Sequence, residues 1–196
     1  MKRFTTLLFA ASIVCGPVFA DDRAALPADG AYTESYMVER TKIIDVIGAV
    51  ALFADLGQWD EVKAQFADKV VLDYTSYASA VAGRAAGQPE TMSPEQIVSA
   101  WKTVLPGYKY TQHLITNHIV TIDGDHAQSV SQIHATHFLP NDKGEAFWTV
   151  IGTYNHELLK TPAGWKITRM KLNFGTQLGN DKLAELAAAT VKARSN

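Results

Sequence analysis

From Ser35 to Leu56 apolar residues recur at helical spacing. Ile43, Ile44, Val46, Ile47, Val50, Ala51, Leu52 and Phe53 form one broad stripe, which predicts a long helix with one face turned to a core. Gly57 follows in the place a helix C-terminus prefers. Asp60 to Phe66 reads as a second, short helix. The period then changes to two. Val70, Leu72 and Tyr74 alternate with Val71, Asp73 and Thr75, the pattern of a strand over Lys69 to Thr75. Ala78 to Met92 is rich in alanine and glycine and is expected to form a flexible loop. Ser93-Pro94-Glu95-Gln96 combines a capping residue, a proline in the first turn and a polar partner three residues on, so a third helix starts there. It carries Ile97, Ala100, Trp101 and Val104 inward and stops before Pro106.

A run of strands follows, over Tyr108 to Ile122, Ala127 to Leu139, Ala146 to Leu159 and Trp165 to Phe174. Asp123-Gly124 is a hairpin turn, and Pro140 to Gly144 and Thr161 to Gly164 make the next two. Asn180 to Ala193 is a closing helix with Leu183 and Leu186 on one side. Trp165 reads as an anchor of its strand, and Arg169 and Lys171 are expected to face solvent. Helices followed by a four-strand meander make an α+β fold, with helices packed on a curved sheet.

The first twenty residues read as something other than fold. Lys2 and Arg3 precede a short apolar run, Leu7 to Val14, and Val18-Phe19-Ala20 is a cleavage site for a secretory signal. Export to the periplasm or the medium, with cleavage after Ala20, is therefore expected. The apolar run is too short for a membrane span, and no later segment approaches about 20 apolar residues. Cys15, the single cysteine, lies inside this segment, so the exported chain has no disulfide and depends on its core. Losing Lys2 and Arg3 takes the formal charge from −2 to −4. The remaining basic residues are scattered, which argues against a nucleic-acid partner.

Chemistry concentrates in Thr111-Gln112-His113-Leu114-Ile115-Thr116-Asn117-His118. On a regular strand His113, Ile115, Asn117 and Ile119 share one face and His118 takes the other. An imidazole aimed into an apolar interior is either a satisfied core residue or a proton-transfer group. Asn117 either hydrogen-bonds a ligand or serves a bulge. Tyr154 falls on an inward face with Trp148, Val150 and Gly152, as aromatic lining with a hydroxyl. Trp101, Phe138, Met170 and Leu172 read as core or pocket wall. His134 and His137 are three apart on a strand and oppose each other, as do His113 and His118, so neither pair has ligand spacing. A metal set of His113, His137 and Asp55 is the weaker alternative, and no metal and no cofactor is expected. No nucleophile elbow, Walker loop or dinucleotide fingerprint occurs.

The sequence of helix, Ala54-Asp55-Leu56-Gly57-Gln58-Trp59-Asp60, Leu72-Asp73-Tyr74, a long loop, Thr111-Gln112-His113 and a late Gly164-Trp165-Lys166-Ile167 strand resembles the SnoaL-like branch of the nuclear transport factor 2-like superfamily. It is similar to scytalone dehydratases and, further off, to bile-acid dehydratases and ketosteroid isomerases. The resemblance implies a cone-shaped α+β barrel, a curved mixed or antiparallel sheet wrapped around the long N-terminal helix, with one deep pocket. With the readings above, the chain is expected to divide into a signal peptide (1–20), a mobile leader (21–33), the domain (34–177) and a C-terminal helix (178–196). The resemblance also implies roles by position. Asp55 would orient and stabilise a catalytic His113. Tyr74 would polarise a carbonyl, and His137 would donate to a leaving group. From their own strand faces, and not from the resemblance, Asn117, Tyr154, Trp148 and Met170 are expected to contact substrate. The sequence departs from the pattern where Ala54 replaces a tyrosine, and where Gly152 and Tyr154 stand for a pocket serine and asparagine.

These readings imply a cofactor-free dehydratase acting on a small hydroxylated cyclic carbonyl compound. Its partner would be a small apolar or aromatic-like molecule, and self-association as a homodimer or homotrimer follows from the resemblance. A binding or carrier module without turnover fits the apolar lining equally well. A double-bond isomerase ranks lower, because that chemistry prefers a carboxylate base and Asp55 is committed to His113.

Overall fold

The computed structural model describes residues 25–82 and 87–194; the expected signal peptide lies outside them. Helix α1 runs from Glu34 to Asp55, one residue earlier than its apolar stripe suggests. Thr33 caps its first turn by accepting from the Tyr36 backbone N–H. Gly57 ends it with φ near +69°, a conformation that costs any residue with a Cβ. Its inner face buries Ile43, Ile47, Val50 and Ala54.

Helix α2 covers Trp59–Ala64, and Phe66 already opens strand β1 (Phe66–Asp73), where its buried ring meets Trp101 edge-on at 6.2 Å. The alanine-rich stretch expected to be a loop holds helix α3 (Thr75–Ala82) and strand β2 (Glu90–Met92). Alanine is the best helix former, and Asp73 caps the helix by accepting from the Thr75 N–H at 3.2 Å and the Thr75 hydroxyl at 2.7 Å. Helix α4 (Pro94–Lys102) has the expected reciprocal cap between Ser93 and Gln96. A 3-10 turn, Leu105–Gly107, follows.

Strands β3 (Tyr110–Asp123), β4 (His126–Phe138), β5 (Phe147–Thr161) and β6 (Gly164–Gly179) form the expected antiparallel meander. β1 joins β6 in parallel, which gives a six-stranded mixed sheet in the order β2-β1-β6-β5-β4-β3. The sheet curls around α1, and the main core lies between them, with Ile43, Ile47, Val62, Val70, Ile97 and Ile167 at its centre. Helix α5 (Leu183–Arg194) seats Leu183 and Ala187 on a second cluster around Ile133, Trp148 and Leu172.

Trp165 is the expected anchor, with its indole N–H on Glu39 Oε2 at 2.7 Å. Arg169 and Lys171 are half-buried rather than solvent-facing. Arg169 bridges Asp73 and Glu157, at 3.5 Å from each, because the buried Asp73 carboxylate needs a counter-charge. No helix among the described residues is long and apolar enough to cross a membrane.

Candidate active site

Asp55, the last residue of α1, meets the start of β3. Its Oδ1 accepts from the Thr111 hydroxyl at 2.7 Å and from His113 Nδ1 at 2.7 Å, and its Oδ2 accepts from the His113 backbone N–H at 2.8 Å. Burial pushes the Asp55 carboxyl up. The hydrogen bonds and charge interaction with His113, together with the Thr111 hydroxyl, more than reverse this and leave it below the usual aspartate range. Because Asp55 accepts from Nδ1, it selects the tautomer that leaves His113 Nε2 free as a base.

The His113 ring lines a cavity of about 530 Å³ between α1, α4 and the inner face of the sheet. Its walls are mostly apolar, with Val50, Leu72, Met92, Trp101, Ile115 and Met170 among them. A smaller recess of about 230 Å³ reaches the Asp55 side from the α1 C-terminus.

Of the residues read from the sequence, His113, Tyr74, Tyr154 and Met170 share this cavity wall. The Tyr74 hydroxyl donates to the Tyr154 hydroxyl. Both rings are half-exposed because they face the cavity, yet their hydroxyls lie far from bulk solvent. Burial pushes Tyr154 up to about 12, although the bond from Tyr74 works in the other direction, and holds Tyr74 well above the ordinary tyrosine value. Both stay protonated, and with the Tyr74 proton given to Tyr154 the Tyr154 O–H is the one left to donate.

His137 and Trp148 do not line the cavity. His137 is buried behind His113, ring edge to ring face with centroids 5.3 Å apart. Its Nδ1 lies 3.3 Å from the Trp148 carbonyl. Burial, with the neighbouring His113 adding to it, pushes His137 down to about 4. The Trp148 indole donates to Gln177 Oε1 at 2.9 Å.

Asn117 is displaced from the expected face. It has φ near +55° and sits in a bulge between the pairs Thr116–Gln132 and Ile119–Val130. The extra residue reverses the alternation. Asn117 therefore bonds Gln132 among exposed residues, and His118 turns toward the buried Ser129, with Nδ1 3.4 Å from its hydroxyl.

Gly152 explains one departure from the family pattern. A Cβ there would lie 2.3 Å from the Asn173 carbonyl oxygen, so no serine fits. His156 is a cavity residue that the sequence reading left out. It continues the inward series Trp148, Val150, Gly152, Tyr154 by two, which is the signal that could have found it. Burial, with His118 nearby, pushes it down to about 3.

A curved mixed sheet closed by α1 over a small-molecule-sized cavity, with a histidine–carboxylate pair at one end, defines a cone-fold protein of the nuclear transport factor 2-like class. The sequence model of the SnoaL-like domain matches residues 35–171, and the chain belongs to that family. Among solved structures it is similar to the Kfla4162 protein of Kribbella flavida, at 28% identity over 80% of this chain and 98% of the other, with TM-score 0.65. It is also similar to a protein of Novosphingobium aromaticivorans provisionally named an aromatic ring hydroxylase, at 25% identity over 76% and 97%, with TM-score 0.62. A second protein of that organism, provisionally named a scytalone dehydratase, matches at 17% identity over 74% and 89%, with TM-score 0.59. No curated protein matches the chain.

Proposed function

We propose that this SnoaL-like protein is an exported lyase that removes water from a small hydroxylated cyclic carbonyl compound. The observation that carries the reading is the His113–Asp55 pair, closed at 2.7 Å on the wall of a cavity of about 530 Å³. His113 Nε2 takes the proton α to the carbonyl, and the C–H electron pair moves into an enolate. The enolate oxygen is met by the Tyr74–Tyr154 hydroxyl pair, whose raised pKa values keep it a donor. The enolate then collapses and expels the β-hydroxyl, which leaves as water after taking the proton from His113 Nε2. A conjugated double bond remains and the histidine is neutral again. Asp55 holds the ring in the productive tautomer and supplies a counter-charge while it is a cation.

The test is an ultraviolet assay of hydroxylated aromatic ketones with the wild-type protein and His113→Ala. Enone absorbance that grows with the wild type and not with the variant is the expected result. Equal rates from both would overturn the reading. The mostly aliphatic lining favours a second reading, a carrier that binds without turnover. Calorimetric binding with no product, in wild type and variant alike, would select it.

A further inference from the structure

Helix α1 ends on a carboxylate, at the pole where the helix dipole least favours negative charge. No basic residue stands in its last turn to offset this. Asp55 therefore depends on donors from outside the helix. His113 gives two, its ring and its own backbone N–H. The third is the Thr111 hydroxyl, which shares Oδ1 with the His113 ring, each at 2.7 Å.

The spacing makes this possible. Residues 111 and 113 are two apart on β3 and share a face, while Gln112 between them is exposed. One carboxylate laid over that face meets both. Thr111 is itself well fixed. It is 8% exposed and pairs across with the buried His137, and its branched side chain has few χ1 choices. A carboxylate is not so fixed by its own bonds, because its terminal torsion is broad. Solvent also reaches Asp55. Asp55 and Thr111 line the smaller recess, whereas His113 lines the main cavity, and the Asp55 side chain keeps 12% of its surface exposed. Without the hydroxyl a water from the recess would take its place on Oδ1, and a water that is free to leave holds nothing in position.

We propose that Thr111 is a positioning residue of the proton-transfer pair: its hydroxyl pins Asp55 Oδ1 where it meets His113 Nδ1, so that Nε2 stays bare toward the cavity. Thr111 does not line the main cavity and acts through Asp55. The inference rests on the proposed use of His113 as a base, but the first part of its test needs no substrate.

Proton NMR follows the His113 Nδ1 proton held against Asp55, assigned by its loss in His113→Ala. Its rate of exchange with water reports how often the pair opens. Thr111→Val keeps the shape and removes the hydroxyl. It should speed this exchange about tenfold, the worth of one hydrogen bond to a charged group, and leave the β4 amides unchanged. Thr111→Ser keeps the hydroxyl on a less restricted side chain and should stay within about threefold of wild type. On a substrate found in the ultraviolet assay, Thr111→Val should lower kcat about tenfold with KM unchanged, and Thr111→Ser should restore it. Four results would each overturn the inference: no slowly exchanging Nδ1 proton in wild type, an unchanged rate in Thr111→Val, an equally fast rate in Thr111→Ser, or a gain matched by the β4 amides, which marks a merely structural hydroxyl. If Thr111→Val does not fold, Thr111→Ala is read in the same way. Absence of turnover in wild type would sink the lyase reading and leave the exchange rates to decide on Thr111.

Discussion

His113 and His156 both line one cavity, and the surroundings of the same side chain differ. His113 has a carboxylate against Nδ1, contributed by the end of a helix. His156 has no carboxylate, a neighbouring histidine and a ring nitrogen without a partner. Burial alone keeps an imidazole neutral. A carboxylate that is itself held by two further donors instead fixes the orientation of the His113 ring through Nδ1. The difference between the two surroundings is thus one aspartate placed by α1.

The largest effect that would break this contrast is on turnover. His113→Ala should lower kcat by about a thousandfold, within the range for a lost general base, while His156→Phe should act mainly through KM. Steady-state kinetics on a substrate found in the ultraviolet assay check both, and a kcat loss in His156→Phe as large as that in His113→Ala would erase the distinction.

The next effect concerns pH. His137 and His156 are held at about 4 and about 3 in the fold, whereas unfolded histidine titrates near 6.5. Below about pH 6.5 the unfolded chain binds protons that the folded chain does not. Their contribution to stability is therefore complete above that pH and is lost as pH falls toward 4 and then 3. Each ring costs about 1 kcal/mol per pH unit in that window. Urea melts at pH 7, 6 and 5 should show the decline, and the double variant His137→Phe/His156→Phe should flatten it. An unchanged slope in the double variant would assign the acid sensitivity elsewhere.

Gly152 lies in the row of Ile133 and Phe174. Gly152→Ala forces a carbon to within 2.3 Å of the Asn173 carbonyl and should cost about 1–3 kcal/mol, lowering Tm by about 2–4 °C for each kcal/mol. A Tm equal to wild type would show that β6 can move aside. The smallest effect is at the bulge that turns His118 inward. Asn117→Ala should cost about 1 kcal/mol, since alanine disfavours φ near +55°, whereas Asn117→Gly should stay within about 0.5 kcal/mol of wild type. Thermal melts of the two variants rank them, and the reverse order would mean that the Gln132 contact, not the backbone, holds the bulge.

Much of this architecture was legible in the chain. The α1 stripe, the Ser93–Gln96 cap and the turn residues between β3 and β6 act over a few positions, and each dictates its element locally. The pairing of Asp55 with His113 could be named through the family pattern, because one ends a helix and the other starts a strand that must meet it. Other features needed the fold. The alanine-rich segment after Tyr74 holds a helix whose first N–H is met by Asp73, a contact that composition alone does not reveal. One bulge at Asn117 exchanged the faces of Asn117 and His118, since alternation counts residues and cannot see where two of them oppose one. His137 and Trp148 share the inward face with His113, but curvature and packing set them behind the cavity wall. Local spacing determined which residues point inward along each strand. Only the tertiary structure decided which of those reach open space, because that depends on how the sheet closes over α1.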